Sequence, residues 1–279
     1  MTDPRRQTPV TPDGRLGPAA HHPGRSDARY LERRNALARL ADGHRAGDRL
    51  PDVDHTEAEH ATWRTVRTAL AAAHAAHASR EVLEAREGFP VPPDRIPGLA
   101  ETGARLRGLT GFGFTLTGGP VETRRFLGAF ADGWFHAVPF VRHPAVPLYS
   151  PEPDVIHDMF GHGIHLSSPR FAELYRMFGK AALRAADEAA LRRINRVFWY
   201  VLEFGVLTEA GEPKAYGAGL LSSYGELARL PGCVIRPLDM REMARTPYYS
   251  AAYQPVLFAG RSLEHVREEL GTFLDAEVS

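Results

Sequence analysis

Between Thr56 and Ala78 the apolar residues Trp63, Val66 and Leu70 recur three to four positions apart, which predicts a helix with one buried face. Thr56-Glu57-Ala58-Glu59 opens it as a capping box, the Thr56 hydroxyl and Glu59 side chain being placed to satisfy amides of the first turn. His60, His74 and His77 on this helix are expected to serve packing or surface roles, since no carboxylate completes a metal set. Proline and glycine punctuate the chain from Gly88 to Gly98, after which Phe112 to Leu116 reads as strand and Arg124 to Trp134 as helix. Further helices are predicted over Pro169 to Arg184, Glu188 to Leu207 and Leu263 to Leu274. Lys214 to Glu226, with Gly217, Gly219 and Gly225, reads as a loop or short strand whose backbone closely approaches something. Residues 1–45 are rich in Arg, Pro, Gly and Asp and lack apolar periodicity until Tyr30, so they are expected to form a mostly disordered tail. Order is expected near Asp54, in a mainly α fold with a few short strands.

Composition narrows the function classes. In 279 residues the 34 basic and 34 acidic side chains cancel, so nothing favours a nucleic-acid backbone or an anionic membrane as partner. The single cysteine, Cys233, cannot form an internal disulfide and has no C-x-x-C neighbour, which fits a reducing, cytoplasmic setting. No apolar run is long enough to span a membrane, and no secretory signal is expected.

The chemistry concentrates in Ile156-His157-Asp158-Met159-Phe160-Gly161-His162-Gly163-Ile164-His165. A zinc-protease helix sets its two histidines four apart, on one face, with a glutamate as base. Here His157 and His162 are five apart, which on an ideal helix turns them about 140° from each other. The expected remedy is that Gly161 ends the helix, leaving His157 on the last turn and His162 folding back from a loop. Asp158 takes the place of the protease's glutamate and is one methylene shorter. Two imidazoles and one carboxylate on one face of an octahedral ion make the facial triad of non-haem Fe(II) oxygenases, with positions open for dioxygen and water. Glu203 is the best candidate for the third ligand, a lone acid in the apolar run Val197 to Gly205. Its alternative is to partner a structural arginine, because a buried carboxylate needs some compensating group.

Three separated stretches then carry a resemblance: Pro151 to His162, Trp199 to Gly205, and Lys214 to Leu227. They resemble the pterin-dependent aromatic amino acid hydroxylases, most nearly the compact bacterial phenylalanine 4-hydroxylases, over roughly Asp54 to Leu274. The resemblance implies a single catalytic domain over residues 46–279, and a monomer, because the regulatory and tetramerisation segments of the animal enzymes have no counterpart. It implies Fe(II), tetrahydrobiopterin or a related tetrahydropterin, and O2 as co-substrate, with phenylalanine converted to tyrosine. His157, His162 and Glu203 match the iron ligands and catalytic centre. Arg142 matches the arginine that holds the substrate carboxylate, with Ser150, Gly219 and Ser222 around the amino acid backbone and Pro153, Trp199 and Phe204 around its ring. Asp154 matches an acid that orients Arg142 and an iron histidine. Phe126 matches the ring on which the pterin stacks, beside Val121, Thr123, Leu127 and His136, and Asp158 helps organise that region.

Without the resemblance, Phe126, Trp199 and Phe204 would be core aromatics, Arg142 a surface ion pair and Ser222 a turn residue. His165 matches no ligand and is expected behind the ligands or in the packing. Departures from the family pattern cluster near the site: Asp158 for glutamate, Gly163-Ile164-His165 for a segment containing proline, Phe198 for tyrosine, Asn195 for alanine. They leave open a sibling enzyme acting on tryptophan or at another carbon of phenylalanine. A zinc hydrolase built on the same three ligands is the rival from another class.

Overall fold

The structure, a computed structural model, describes residues 22–249 and 253–279. Its first helix, α1 (Ala28–Ala38), falls inside the segment expected to be a disordered tail. Asp27 caps it by accepting from the amides of Arg29 and Tyr30, both at 3.0 Å. Leu37 and Ala38 close a small apolar cluster with Val138 and Phe140. Arg34 is buried and grips Glu152 with two hydrogen bonds, Nε at 3.1 Å and Nη2 at 2.7 Å. Order here comes from groups more than a hundred positions away in sequence, which a local count of apolar residues cannot register. Residues 1–21 of the expected tail lie outside the described residues.

The capping box is formed as expected at the start of α2 (Glu57–His77): the Glu59 amide donates to Thr56 Oγ1 at 3.3 Å and the Thr56 amide to the Glu59 carboxylate at 2.7 Å. Trp63, Val66 and Leu70 are buried on its inner face. Helices α3 (Arg80–Gly88) and α4 (Leu99–Thr110) follow, and then β1 (Gly113–Leu116) pairs in parallel with β2 (Trp134–Ala137). The connection contains α5 (Thr123–Gly128) and a tight turn over Ala129–Asp132. The helix expected to reach Trp134 stops earlier, because Gly133 takes a left-handed φ of 73° and Trp134 opens the strand.

The second half is helical around a small sheet. A continuous helical stretch contains α6 (Val155–His157), a π turn over Asp158–Gly163 and α7 (Ile164–Ser167). Next come α8 (Pro169–Arg184) and α9 (Glu188–Phe198), the latter widening into a second π turn over Trp199–Glu203. The helix expected to reach Leu207 therefore ends at Glu203, and β3 (Val206–Glu209) begins. The segment expected as loop is more regular than that: it holds the end of β4 (Glu212–Ala215), then α10 (Ala218–Leu221) and the start of α11 (Tyr224–Arg229). The close approach read from its glycines is real, since a Cβ on Gly217 would lie 2.3 Å from the Glu203 carbonyl oxygen. β5 (Ile235–Pro237), α12 (Met240–Met243), β6 (Leu257–Gly260) and α13 (Leu263–Glu277) complete the chain. The sheet order is β4-β3-β6-β5, antiparallel between β3 and β4 and parallel elsewhere. One apolar core runs from Trp63 on α2 through Phe171 and Phe178 on α8 to Leu270 on α13, and the two π turns sit against it.

Candidate active site

The helix carrying His157 does not end at Gly161, as the spacing argument required. It widens into the π turn and continues as α7. A π turn closes hydrogen bonds between residues five apart, so side chains at that separation come together where an α-helix would splay them. His157 Nε2 and His162 Nε2 meet at 2.9 Å. Gly161 serves another purpose: a Cβ there would lie 2.6 Å from the Ala218 carbonyl oxygen, so glycine lets α10 press against the turn.

The second π turn delivers the carboxylate. Glu203 Oε1 lies 3.1 Å from His162 Nε2 and Oε2 lies 3.7 Å from His157 Nε2. One donor atom from each of the three residues falls within 4.8 Å of the others, a convergence with room for one ion between them. Burial keeps the rings neutral, with His157 pushed down to about 4 and His162 to about 3. A neutral imidazole offers a lone pair where an imidazolium offers none. Burial also pushes the Glu203 carboxyl above its ordinary value, a cost that a bound cation would remove.

Asp154 caps α6, accepting from the His157 amide at 3.1 Å. The same carboxylate takes Arg142 Nε at 2.9 Å and Nη2 at 2.8 Å, so Arg142 is a buried, doubly bonded cation rather than a surface one. Asp154 thus orients Arg142 as expected, but it reaches His157 through the main chain. The ring of His157 is held by Ser222, whose Oγ is 2.8 Å from Nδ1. Arg142, Ser150, Pro153, Trp199, Phe204, Gly219 and Ser222 line a cavity of about 440 Å³ that opens onto His157 and Glu203. Its aromatic wall is the stacked pair Trp199 and Phe204, with ring centroids 5.0 Å apart and Tyr248 behind Trp199 at 4.3 Å.

A second cavity, of about 590 Å³, is lined by Val121, Thr123 and Asn195 among others. The other residues expected to meet the pterin lie outside its lining. Phe126 packs edge-on against Phe130 and Phe198 and sits 6.0 Å from the His136 ring. Leu127 is fully buried in the core. Asp158 is buried too, accepts the Val138 amide at 2.8 Å, and burial raises its carboxyl well above the usual range. His136 Nδ1 is a buried polar atom without a partner among the described residues. An orphaned ring nitrogen beside an aromatic face fits a site completed by a flat, polar ligand.

Sequence reasoning did not single out Tyr175, whose hydroxyl lies 2.6 Å from His162 Nδ1, nor Glu226 at the first cavity, nor Tyr248, which stacks on Trp199 and lines the second. Burial pushes the Glu226 carboxyl up to about 7, although it accepts the Gln254 amide at 3.4 Å. A lone acid four residues beyond Ser222 was the one available signal for it.

Comparison with known proteins shows the family. The family described as biopterin-dependent aromatic amino acid hydroxylase matches residues 15–277. The chain belongs to that family. It is 43% identical over 254 residues to a phenylalanine 3-hydroxylase of Streptomyces coeruleorubidus, covering 91% of each chain. It is 42% identical over 212 residues to the chloroplastic phenylalanine 4-monooxygenase of Chlamydomonas reinhardtii, which covers 76% of this chain but only 58% of that one. The apo structure of the cold-active phenylalanine hydroxylase of Colwellia psychrerythraea superposes with a TM-score of 0.74 at 26% identity, covering 84% of this chain and 94% of that one. In this hydroxylase His157, His162 and Glu203 form the candidate iron site, and the family works with Fe(II), a tetrahydropterin and O2.

Proposed function

We propose that this hydroxylase acts on the ring of free phenylalanine. The observation that carries the reading is the single cavity in which a buried arginine, a stacked aromatic wall and two of the three iron ligands face one another. Arg142, locked by Asp154, presents a fixed positive group for the amino acid's carboxylate. Trp199 and Phe204 take the side chain, and with Pro153 they exclude water from the reacting ring. His157, His162 and Glu203 would hold iron, and the orphaned His136 edge would meet the pterin. When bound, ferrous iron and the reduced pterin supply the electrons that activate dioxygen. What the chain contributes is placement: the ring is held beside the metal, and neutral imidazoles keep their lone pairs directed at it.

The para product, tyrosine, is what the motifs imply and what the named activity of the algal relative supports. The meta product has one specific observation in its favour: the Streptomyces relative, named a phenylalanine 3-hydroxylase, matches across nearly the whole of both chains. We place the meta position first on that ground. Incubation of the iron-loaded chain with L-phenylalanine, a tetrahydropterin and air, followed by co-elution against ortho-, meta- and para-tyrosine, separates the positions. Turnover of tryptophan in preference to phenylalanine, or hydrolysis independent of dioxygen and Fe(II), would contradict the proposal. A cytoplasmic monomer completes the reading; no described helix is long and apolar enough to cross a membrane.

A further inference from the structure

We infer that Tyr175 and His165 form a one-way hydrogen-bond chain that fixes the tautomer of His162, so that this ring presents a bare Nε2 to the iron site. The inference rests on the iron-site reading but not on any substrate.

The chain begins at a group with no choice. The Tyr216 carbonyl oxygen can only accept, and His165 Nε2 lies 2.5 Å from it, so that nitrogen carries the hydrogen. His165 is fully buried and stacked on Phe171, ring centroids 4.4 Å apart and 13° from parallel, and among the described residues no carboxylate is bonded to it. It is neutral there, has one proton, and its Nδ1 is an acceptor. Tyr175 sets its oxygen 2.9 Å from that Nδ1 and 2.6 Å from His162 Nδ1. A phenol has one hydrogen, which goes to His165. Its remaining lone pair then accepts from His162 Nδ1–H.

The single proton of a neutral His162 is therefore on Nδ1, and Nε2 faces His157 Nε2 at 2.9 Å and Glu203 Oε1 at 3.1 Å with its lone pair free. The opposite polarity would require a carbonyl to donate. His157 meets the same need by a shorter route: its Nδ1 is 2.8 Å from Ser222 Oγ, and that hydroxyl donates to the Ala218 carbonyl at 2.8 Å. Both rings are thus tied to a main-chain oxygen through a hydroxyl. His162 alone uses a second histidine on the way. Tyr175 and His165 are positioning residues, touching neither metal nor substrate.

The tautomer can be read directly. In the metal-free full-length chain labelled with 15N-histidine, long-range nitrogen–proton correlation spectra should show His162 as the Nδ1–H form and His165 as the Nε2–H form. Tyr175→Phe should weaken Co(II) binding about tenfold or more and shift the visible bands of the bound ion. His165→Gln, whose amide both donates and accepts, should retain most of the affinity that His165→Leu loses. An Nε2–H form of His162 in the unsubstituted chain overturns the inference, as does a Tyr175→Phe variant with unchanged Co(II) affinity and spectrum. The spectra of the unsubstituted chain decide the matter even if a variant does not fold. Because they are recorded without metal, failure of the tautomer and failure of the iron site are separate results.

Discussion

The two histidines of the candidate iron site stand in unlike surroundings. His162 faces the core: its side chain is 1% exposed, Phe135 packs 4.4 Å from its ring, and Tyr175 holds it from behind. His157 faces the cavity: its side chain is 14% exposed, and Ser222, which holds it, also lines the space where the amino acid would lie. One ring is set by packing that forms with the fold, whereas the other is set by a serine that lines the cavity. Rigidity and access are divided between the two rings.

Removing either ring should cost the most. His162→Gly and His157→Gly are each expected to lose bound iron and to lower turnover by about a thousandfold or more, read by metal analysis and product yield. The comparison sharpens on rescue. Added imidazole should restore part of the activity of His157→Gly, whose place is reached from the cavity, and none of that of His162→Gly. Equal rescue of both would break the contrast.

Arg142→Lys tests the cavity side alone. Lysine keeps the charge but cannot make paired bonds to Asp154 and a carboxylate, so KM for the amino acid should rise about a hundredfold with a smaller change in kcat. Steady-state kinetics decide it, and an unchanged KM would remove Arg142 from the substrate.

Glu226 offers a pH test on the same side. Burial raises its pKa from the ordinary 4.5 to about 7. The folded state keeps this proton where the unfolded chain has lost it. The group's contribution to stability is therefore full below about 4.5 and falls as pH rises toward about 7. Glu226→Gln should flatten that decline by on the order of 2 kcal/mol, seen as a smaller loss of Tm between pH 5 and pH 8. The smallest effect belongs to Thr56→Ala, far from both histidines. Loss of its cap should cost about 1 kcal/mol in denaturant unfolding and leave turnover unchanged.

How much of this was legible in the sequence depended on where each interaction comes from. The α2 capping box and its apolar stripe are local, and both were readable. The three converging side chains, His157, His162 and Glu203, stood out because imidazoles and a lone acid are conspicuous in apolar helices. The manner of their meeting was not readable, since a glycine between two histidines signals a helix end as naturally as a π turn, and only packing against Ala218 decides between them. The bond from His157 to Ser222 spans 65 positions, and the grip of Arg34 on Glu152 spans 118. Neither leaves a local pattern, which is why α1 was missed and Ser222 was read only as a substrate contact. Tyr175, 13 positions from His162, looked like any inward-facing residue of an amphipathic helix.

The most direct test of the central claim is a crystal structure of the Fe(II)-loaded chain with data collected at the iron absorption edge. The account predicts one strong anomalous peak within bonding distance of His157 Nε2, His162 Nε2 and a Glu203 carboxylate oxygen. A peak elsewhere, or a Glu203 side chain turned away from both rings, would contradict it.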